Sequence, residues 1–282
     1  MSAERFDARA CLLGEGPLWH PERQELFWFD ILEKRLLSRK NDVQRDWQFD
    51  RYASAAGWLD RDALLVATET DLCRLDLTTD ALDPLVPLEA ERADTRSNDG
   101  RADPFGGFWI STMGKQAQAG YGAIYRFYHG ALRQLVSGLT IPNAICFAPD
   151  GSHAFYADTL PGKIWRQPLD RHGWPDGVAE LFIDHGPGAG PDGAVVDAAG
   201  HLWNAHWGHF KVSMYDTAGN ALRDYRLPAR QPSCPAFGGP ELNQLFVTSA
   251  REDLGAAATD HDGATYVIQT EARGQAEHRV IL

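Results

Sequence analysis

One strand type recurs six times along the chain: LFWFD (26–30), LLVAT (64–68), FWIST (108–112), AFYAD (154–158), LWNAH (202–206) and LFVTS (245–249). Successive copies stand roughly 40 to 48 residues apart, the spacing of propeller blades of about four strands each. A partner strand follows each copy: KRLLSRK (34–40), the weakest, then LCRLDL (72–77), AIYRFY (123–128), KIWRQPL (163–169), KVSMYD (211–216) and ATYVIQ (264–269). A shorter strand precedes each copy across a tight turn, and the turns read HPERQ, DRD, DPFGG, APDGS, DAAG and GGPELN. Helical periodicity is almost absent. The unit is therefore inner strand, turn, second strand, loop, third strand and often a fourth. Six units close into a ring, so the sequence predicts an all-β fold, a six-bladed β-propeller, as one domain over residues 1–282. Either FDARACLL (6–13) or HRVIL (278–282) would add the outer strand of the last blade and remove an open edge. The residues do not choose between them.

Composition narrows the function. The chain carries 27 Lys and Arg against 39 Asp and Glu, a net charge of −12. That excess argues against nucleic acid or an anionic membrane surface as partner, and no basic run opposes it. The opening MSAERFDARA is charged and has no apolar h-region, so no secretory leader is expected. No stretch approaches the ~18 apolar residues of a membrane span. Cys11, Cys73, Cys146 and Cys234 are far apart and form no CxxC pair. They are expected as free thiols packed in the core of a cytoplasmic protein, with a monomer as the default.

Aligning the six units on the turn after the inner strand reveals a pattern. Glu15 precedes His20-Pro21 by the same offset at which Asn98 precedes Asp103-Pro104, Asn143 precedes Ala148-Pro149 and Asp192 precedes Asp197. Ala55 and Cys234 take that place in the second and sixth units. Inner strands line a propeller's channel, and side chains alternate between strand faces. Equal offsets therefore put Glu15, Asn98, Asn143 and Asp192 at one mouth of the channel. All four are oxygen donors, a set that suits a hard divalent cation. Converging carboxylates without a cation would repel one another and shift their pKa values. Asp and Asn are also ordinary turn residues, but a turn role does not explain the shared offset. Gly14 and Gly16 beside Glu15 are expected to leave room for backbone near this site.

Adjacent strands are antiparallel, so the loops after the second strands return to the same mouth. They carry Glu69, Lys115, Gln116, Asp158, Thr159, His206 and His209. Gln116 and Asp158 are candidates for a polyol. Arg96 and Lys115 are candidates for an anionic or carbonyl oxygen. His206 is read as polar rim and substrate contact rather than as half of an HxxH metal pair. The competing reading makes these ordinary exposed loop residues.

Five stretches, one to a blade, complete the picture: LGEGPLWHPERQELFWFD (13–30), RSNDGRADPFGGFWISTMG (96–114), IPNAICFAPDGSHAFYADT (141–159), PDGAVVDAAGHLWNAHWG (191–208) and SCPAFGGPELNQLFVTSARE (233–252). Together and in this order they resemble the senescence marker protein/gluconolactonase/luciferin-regenerating family, the regucalcin-like sugar lactonases. The resemblance implies a six-bladed propeller. It implies metal ligands at Glu15, Asn143 and Asp192, completed by water, with Asn98 and Arg96 as substrate contacts and Asp99 as a structural residue. It implies hydrolysis of aldonolactones, and in some members of other esters or phosphotriesters. Some members carry an acidic sugar contact where Gln116 stands here.

The expected function is thus a divalent-metal-dependent hydrolase that opens a sugar lactone to the aldonic acid, with Asp192 as general base. Ca²⁺, Zn²⁺, Mg²⁺, Mn²⁺ and Fe²⁺ all suit the donors. No GxSxG elbow offers a serine nucleophile instead. Two alternatives stand beside it: a promiscuous metal-dependent esterase or phosphotriesterase on the same site, and a non-catalytic calcium-binding propeller.

Overall fold

A computed structural model describes residues 2–282. Six four-stranded antiparallel sheets follow one another along the chain and form a six-bladed β-propeller. Blade one comprises Gly14–His20, Glu25–Asp30, Arg35–Lys40 and Val43–Gln48. The other inner strands are Ala53–Asp60, Thr95–Ala102, Pro142–Phe147, Pro191–Val196 and Gln231–Gly238. Each recurring sequence motif forms the second strand of its blade, and each partner motif forms the third; even the weak KRLLSRK becomes Arg35–Lys40. The only helical element among the described residues is the three-residue turn Gly255–Ala257. No helix there is long and apolar enough to cross a membrane.

The hydrophobic core is divided among the blade interfaces. One buried cluster joins blades one and two through Phe27, Phe29, Leu64 and Val66. Another joins blades five and six through Trp203, Val212, Phe237 and Tyr266. Four further clusters fill the remaining interfaces. Aromatic and β-branched residues of the second strands suit this wedge, because each inter-blade layer is buried from both sides. All four cysteines are free and buried, as expected from their spacing, Cys11 and Cys146 within these layers.

The two chain ends have different roles. Ala3–Asp7 pairs with Thr265–Gln269 and supplies the outer strand of blade six, so the N-terminal candidate closes the ring, a few residues earlier than FDARACLL suggested. The C-terminal candidate does not pair there. Residues 274–281 cross the end of the channel where the inner strands turn back. Gly274 N–H donates to the Leu242 carbonyl (2.7 Å), Val280 N–H to Trp58 (3.0 Å) and Ile281 N–H to Gly106 (2.9 Å). Gln275 Nε2 donates to the carbonyls of Phe147 and Val196 (3.1 and 2.9 Å). Glu277 meets Arg101 at 2.5 Å, and Val280 is buried in the layer between blades two and three. Five blades are tied together from below by this one segment.

Candidate metal centre and active site

Every inner strand is irregular at the same height. Register shifts fall between Glu15 and Leu18, Ala53 and Ala55, Ser97 and Gly100, Asn143 and Cys146, Pro191 and Ala194, and Pro232 and Pro235. A bulge adds a residue to one strand, re-aims the neighbouring side chains and leaves backbone groups unpaired. Here it lies at or beside each of the four aligned polar residues. The backbone at Gly16 and Ala144 takes φ of 53° and 57° to make the bend.

Small buried polar side chains satisfy the carbonyls that the bulges release. Ser54 Oγ donates to Asn98 O (2.6 Å), Ser111 Oγ to Asp99 O (2.9 Å) and Pro142 O (3.1 Å), and Asn204 Nδ2 to Asp192 O (2.8 Å). Ser233 Oγ does the same for Gly14 O. Sequence reasoning passed over these residues, because a serine in a strand looks like filler until its neighbour's bulge is known. The room left by Gly14 and Gly16 is filled by backbone, and that backbone comes from the neighbouring blades. A Cβ at Gly14 would collide with Ser249 O on the second strand of blade six, and one at Gly16 with Ser54 O on the inner strand of blade two. The glycines let the blades close up around the channel.

Above the bulges lies a cavity of about 410 Å³, lined by Glu15, Arg96, Asn98, Lys115, Gln116, Asn143 and Asp192, with apolar walls from Leu13, Leu32, Met113, Ile141 and Trp207. Its floor is a directional hydrogen-bond chain. Arg96 Nη1 donates to Asn98 Oδ1 (2.8 Å), and Asn98 Nδ2 donates to Asn143 Oδ1 (3.0 Å) and to Pro142 O (3.0 Å). Asn143 Nδ2 donates to Thr159 Oγ1 (2.8 Å), which donates to Pro191 O (2.7 Å). The chain fixes which end of each amide faces which neighbour. Asn98 is engaged at both ends, and its carbonyl already faces a cation. Asn143 Oδ1 keeps a lone pair.

Among the described residues the carboxyls have only backbone support: Glu15 Oε2 accepts the Gly16 N–H at 3.0 Å, and Asp192 is bonded by the backbone at Gly193. Glu15 and Asp192 are both buried, and among the described residues neither lies within ion-pair distance of Lys, Arg or His. Burial pushes Glu15 up to about 8, with Asp99 adding to the rise while Gly16 N–H and Arg96 oppose it. Burial also holds Asp192 well above the usual carboxylate range, helped by the charges of Glu15 and Asp99. Asp99, beneath them, is pushed up to about 6 by burial although it accepts the Ile145 N–H at 2.6 Å. Burial lowers the pKa of Arg96. Two buried acids raised in this way either keep protons or face a cation. Among the described residues no cluster of three His, Cys, Asp or Glu side chains is placed to hold a metal. The set here is instead two carboxylates and an amide oxygen, and these donors and their unmet charge fit a hard divalent cation.

The rim differs from expectation in two places. His206 does not line the cavity. It ends the strand Leu202–His206, its Nδ1–H donates to Ala189 O (3.1 Å), and its Nε2 accepts from Tyr215 Oη (3.0 Å). Burial pushes this histidine down to about 4. Both ring nitrogens are spent within blade five, and Trp207 reaches the cavity in its place. Asp158 serves the fold: it accepts the N–H groups of Thr140 and Ile141, both at 2.9 Å, as Asp30 does those of Leu12 and Leu13 (3.0 and 3.1 Å). Lys115 is at the rim but tied to Glu69 (2.5 Å) and Ala93 O (2.9 Å). Gln116 is exposed beside it. Glu252 and Asp253, from the loop after the second strand of blade six, also line the cavity. The rule that brings the loops after the second strands to this mouth covers them too, but no inner-strand offset marks them.

Known proteins resemble this chain along nearly its whole length. Residues 13–251 match the family model described as SMP-30/Gluconolactonase/LRE-like region. The L-arabinolactonase of Azospirillum brasilense is 35% identical over 95% of this chain and 91% of its own. The 6-deoxy-6-sulfogluconolactonase of Pseudomonas putida is 32% identical over 87% of this chain and 86% of its own. The crystal structure of a calcium-binding protein, regucalcin, from Agrobacterium tumefaciens superposes with a TM-score of 0.97 at 38% identity, covering 100% of this chain and 98% of that one. The chain belongs to the SMP-30/gluconolactonase/LRE-like family.

Proposed function

We propose that the protein is a sugar lactonase that depends on one divalent cation held by Glu15, Asn143 and Asp192. The observation that carries this reading is the floor of the cavity: two buried, mutually repelling carboxylates and an amide oxygen beside a guanidinium–amide pair suited to sugar oxygens. A cation bound there would act as a Lewis acid on the lactone and make the attacking water more acidic. Asp192 takes the proton of that water as its oxygen bonds to the lactone carbonyl carbon. When the ring C–O bond breaks, the proton passes to the leaving oxygen, giving the hydroxy acid. Arg96 and Asn98 hold sugar oxygens over this centre. Lys115 and Gln116 shape the rim, and His206 supports blade five without touching substrate.

Calcium appears in the description of the Agrobacterium tumefaciens regucalcin, and it leads the cations to be tried, with Zn²⁺, Mg²⁺, Mn²⁺ and Fe²⁺ after it. The four buried free thiols suit a cytoplasmic protein, and we take it to act as a monomer on a small-molecule substrate. The apolar upper wall favours a second reading, an esterase or phosphotriesterase on the same centre. One experiment addresses both: metal-stripped protein is given each cation in turn and assayed on pentono- and hexonolactones, aryl esters and a phosphotriester. Cation-dependent opening of lactones, faster than of aryl esters, is the expected result. Full activity after exhaustive chelation would refute the metal centre, and a preference for aryl esters would favour the second reading.

A further inference from the structure

Two opposite charges line the cavity and do not meet. Arg96 spends Nη1 on Ser97 O and Asn98 Oδ1, both at 2.8 Å. Its side chain makes no ion pair among the described residues, although Glu252 is foremost of the acids that act on it. Glu252 is held through its main-chain carbonyl, which accepts from Gln231 Nε2 at 3.0 Å. Its carboxyl makes no hydrogen bond or ion pair among the described residues. It is half-buried and lines the same cavity. Burial raises its pKa and the charge of Arg96 opposes the rise.

A guanidinium only donates hydrogen bonds, and a carboxylate only accepts them. A ligand group bridging the two must accept from one and donate to the other. A hydroxyl does both. A carboxylate, sulfonate or phosphate on the ligand cannot donate, and Glu252 would repel it. Asp253 adds a second negative charge at the cavity edge, and Glu69 already neutralises the ammonium of Lys115. Among the described residues, an anionic tail on the substrate therefore finds Arg96 as the one unpaired positive charge lining the cavity, and reaches it only beside the carboxylates of Glu252 and Asp253.

We propose that Glu252 is a specificity-determining residue: it accepts a hydroxyl of a neutral sugar lactone, the same hydroxyl taking an N–H from Arg96, and it disfavours lactones that carry an anionic tail. This deepens the lactonase reading and rests on it.

The test compares wild type, Glu252→Gln and Glu252→Asp, each loaded with the activating cation, on a neutral aldonolactone and on an aldaric monolactone, whose far carbon is a carboxylate. Thermal melting is measured alongside. Wild type prefers the neutral lactone. Glu252→Gln loses roughly tenfold in kcat/KM on it, mainly through KM, as expected for one charge-assisted hydrogen bond. The same variant gains on the aldaric lactone and melts like wild type, because the side chain holds nothing in the fold. Glu252→Asp keeps the preference for the neutral substrate at weaker binding. An unchanged ratio between the two substrates in Glu252→Gln would overturn the inference, as would a loss confined to kcat. If wild type opens neither lactone, the lactonase reading itself fails and takes the inference with it.

Discussion

The two ends of the central channel treat buried charge in opposite ways. At the end crossed by the C-terminal segment, charges are matched. Asp103 meets Arg126 Nε at 2.6 Å with both side chains fully buried, and it also accepts the N–H groups of Phe105 and Gly107. The guanidinium also lies 4.4 Å from the ring of Tyr128 and 4.4 Å from that of Trp174, two rings set perpendicular to each other. Glu277 likewise meets Arg101. At the other end, Glu15, Asp192 and Glu252 have no cationic partner among the described residues, and Arg96 has no anionic one. A buried ion pair is costly to break, whereas an unmatched buried charge is costly to keep. The first arrangement holds a fold together; the second leaves binding capacity for something the chain does not supply.

Substituting an acid at each end separates the two. Asp192→Asn removes the proposed base and a ligand while relieving repulsion, so turnover falls by about a thousandfold or more with melting unchanged or raised. A variant keeping a tenth of wild-type kcat would end the assignment of Asp192. Asp103→Asn leaves Arg126 buried and uncompensated, which costs about 3–5 kcal/mol of stability. Turnover per folded molecule stays, as measured by denaturant unfolding next to kcat. Parallel loss of both in either variant would mean that the ends are not independent.

The pH dependence sharpens the contrast further. In the cation-free fold Glu15 keeps its proton up to about 8, whereas the unfolded chain releases it near 4.5. The folded state then binds more protons across that window, so cation-free stability falls as pH rises through it. Asp192 acts in the same direction. A cation replaces those protons, so its stabilising effect grows with pH. Glu15→Gln should flatten the cation-free slope, seen as melting temperature against pH in chelator; an unaltered slope would place the titration elsewhere. The smallest effect is expected at Lys115, whose ammonium is exposed and engaged by Glu69. Lys115→Ala should change kcat/KM by less than about fivefold, and a loss of a hundredfold would show that it contacts substrate directly.

The fold was legible because the blade is a repeat, and repetition turns weak strand signals into a strong one. The ring of Glu15, Asn98, Asn143 and Asp192 was legible for the same reason: the bulges fall at one height in every inner strand. Legibility failed where the ring breaks its own symmetry. Glu252 sits on a loop far longer than its counterparts in the other blades. His206 ends a strand in the expected place, yet its ring turns to Tyr215, a choice set by packing inside blade five. The C-terminal segment binds the turns largely through backbone groups, which leave no pattern in the sequence. Asp158 misled because its carboxylate answers two backbone N–H groups that only the bend at Thr140 creates.

That C-terminal segment turns a ring into a cup. Propellers are open at both ends by construction, but here residues 274–281 floor the channel. A molecule in the cavity would therefore enter and leave by the mouth opposite that segment. Opening a neutral lactone makes a carboxylate, and that new charge is born under the rim where Glu252 and Asp253 stand. The doorway that admits the substrate would then push its product out.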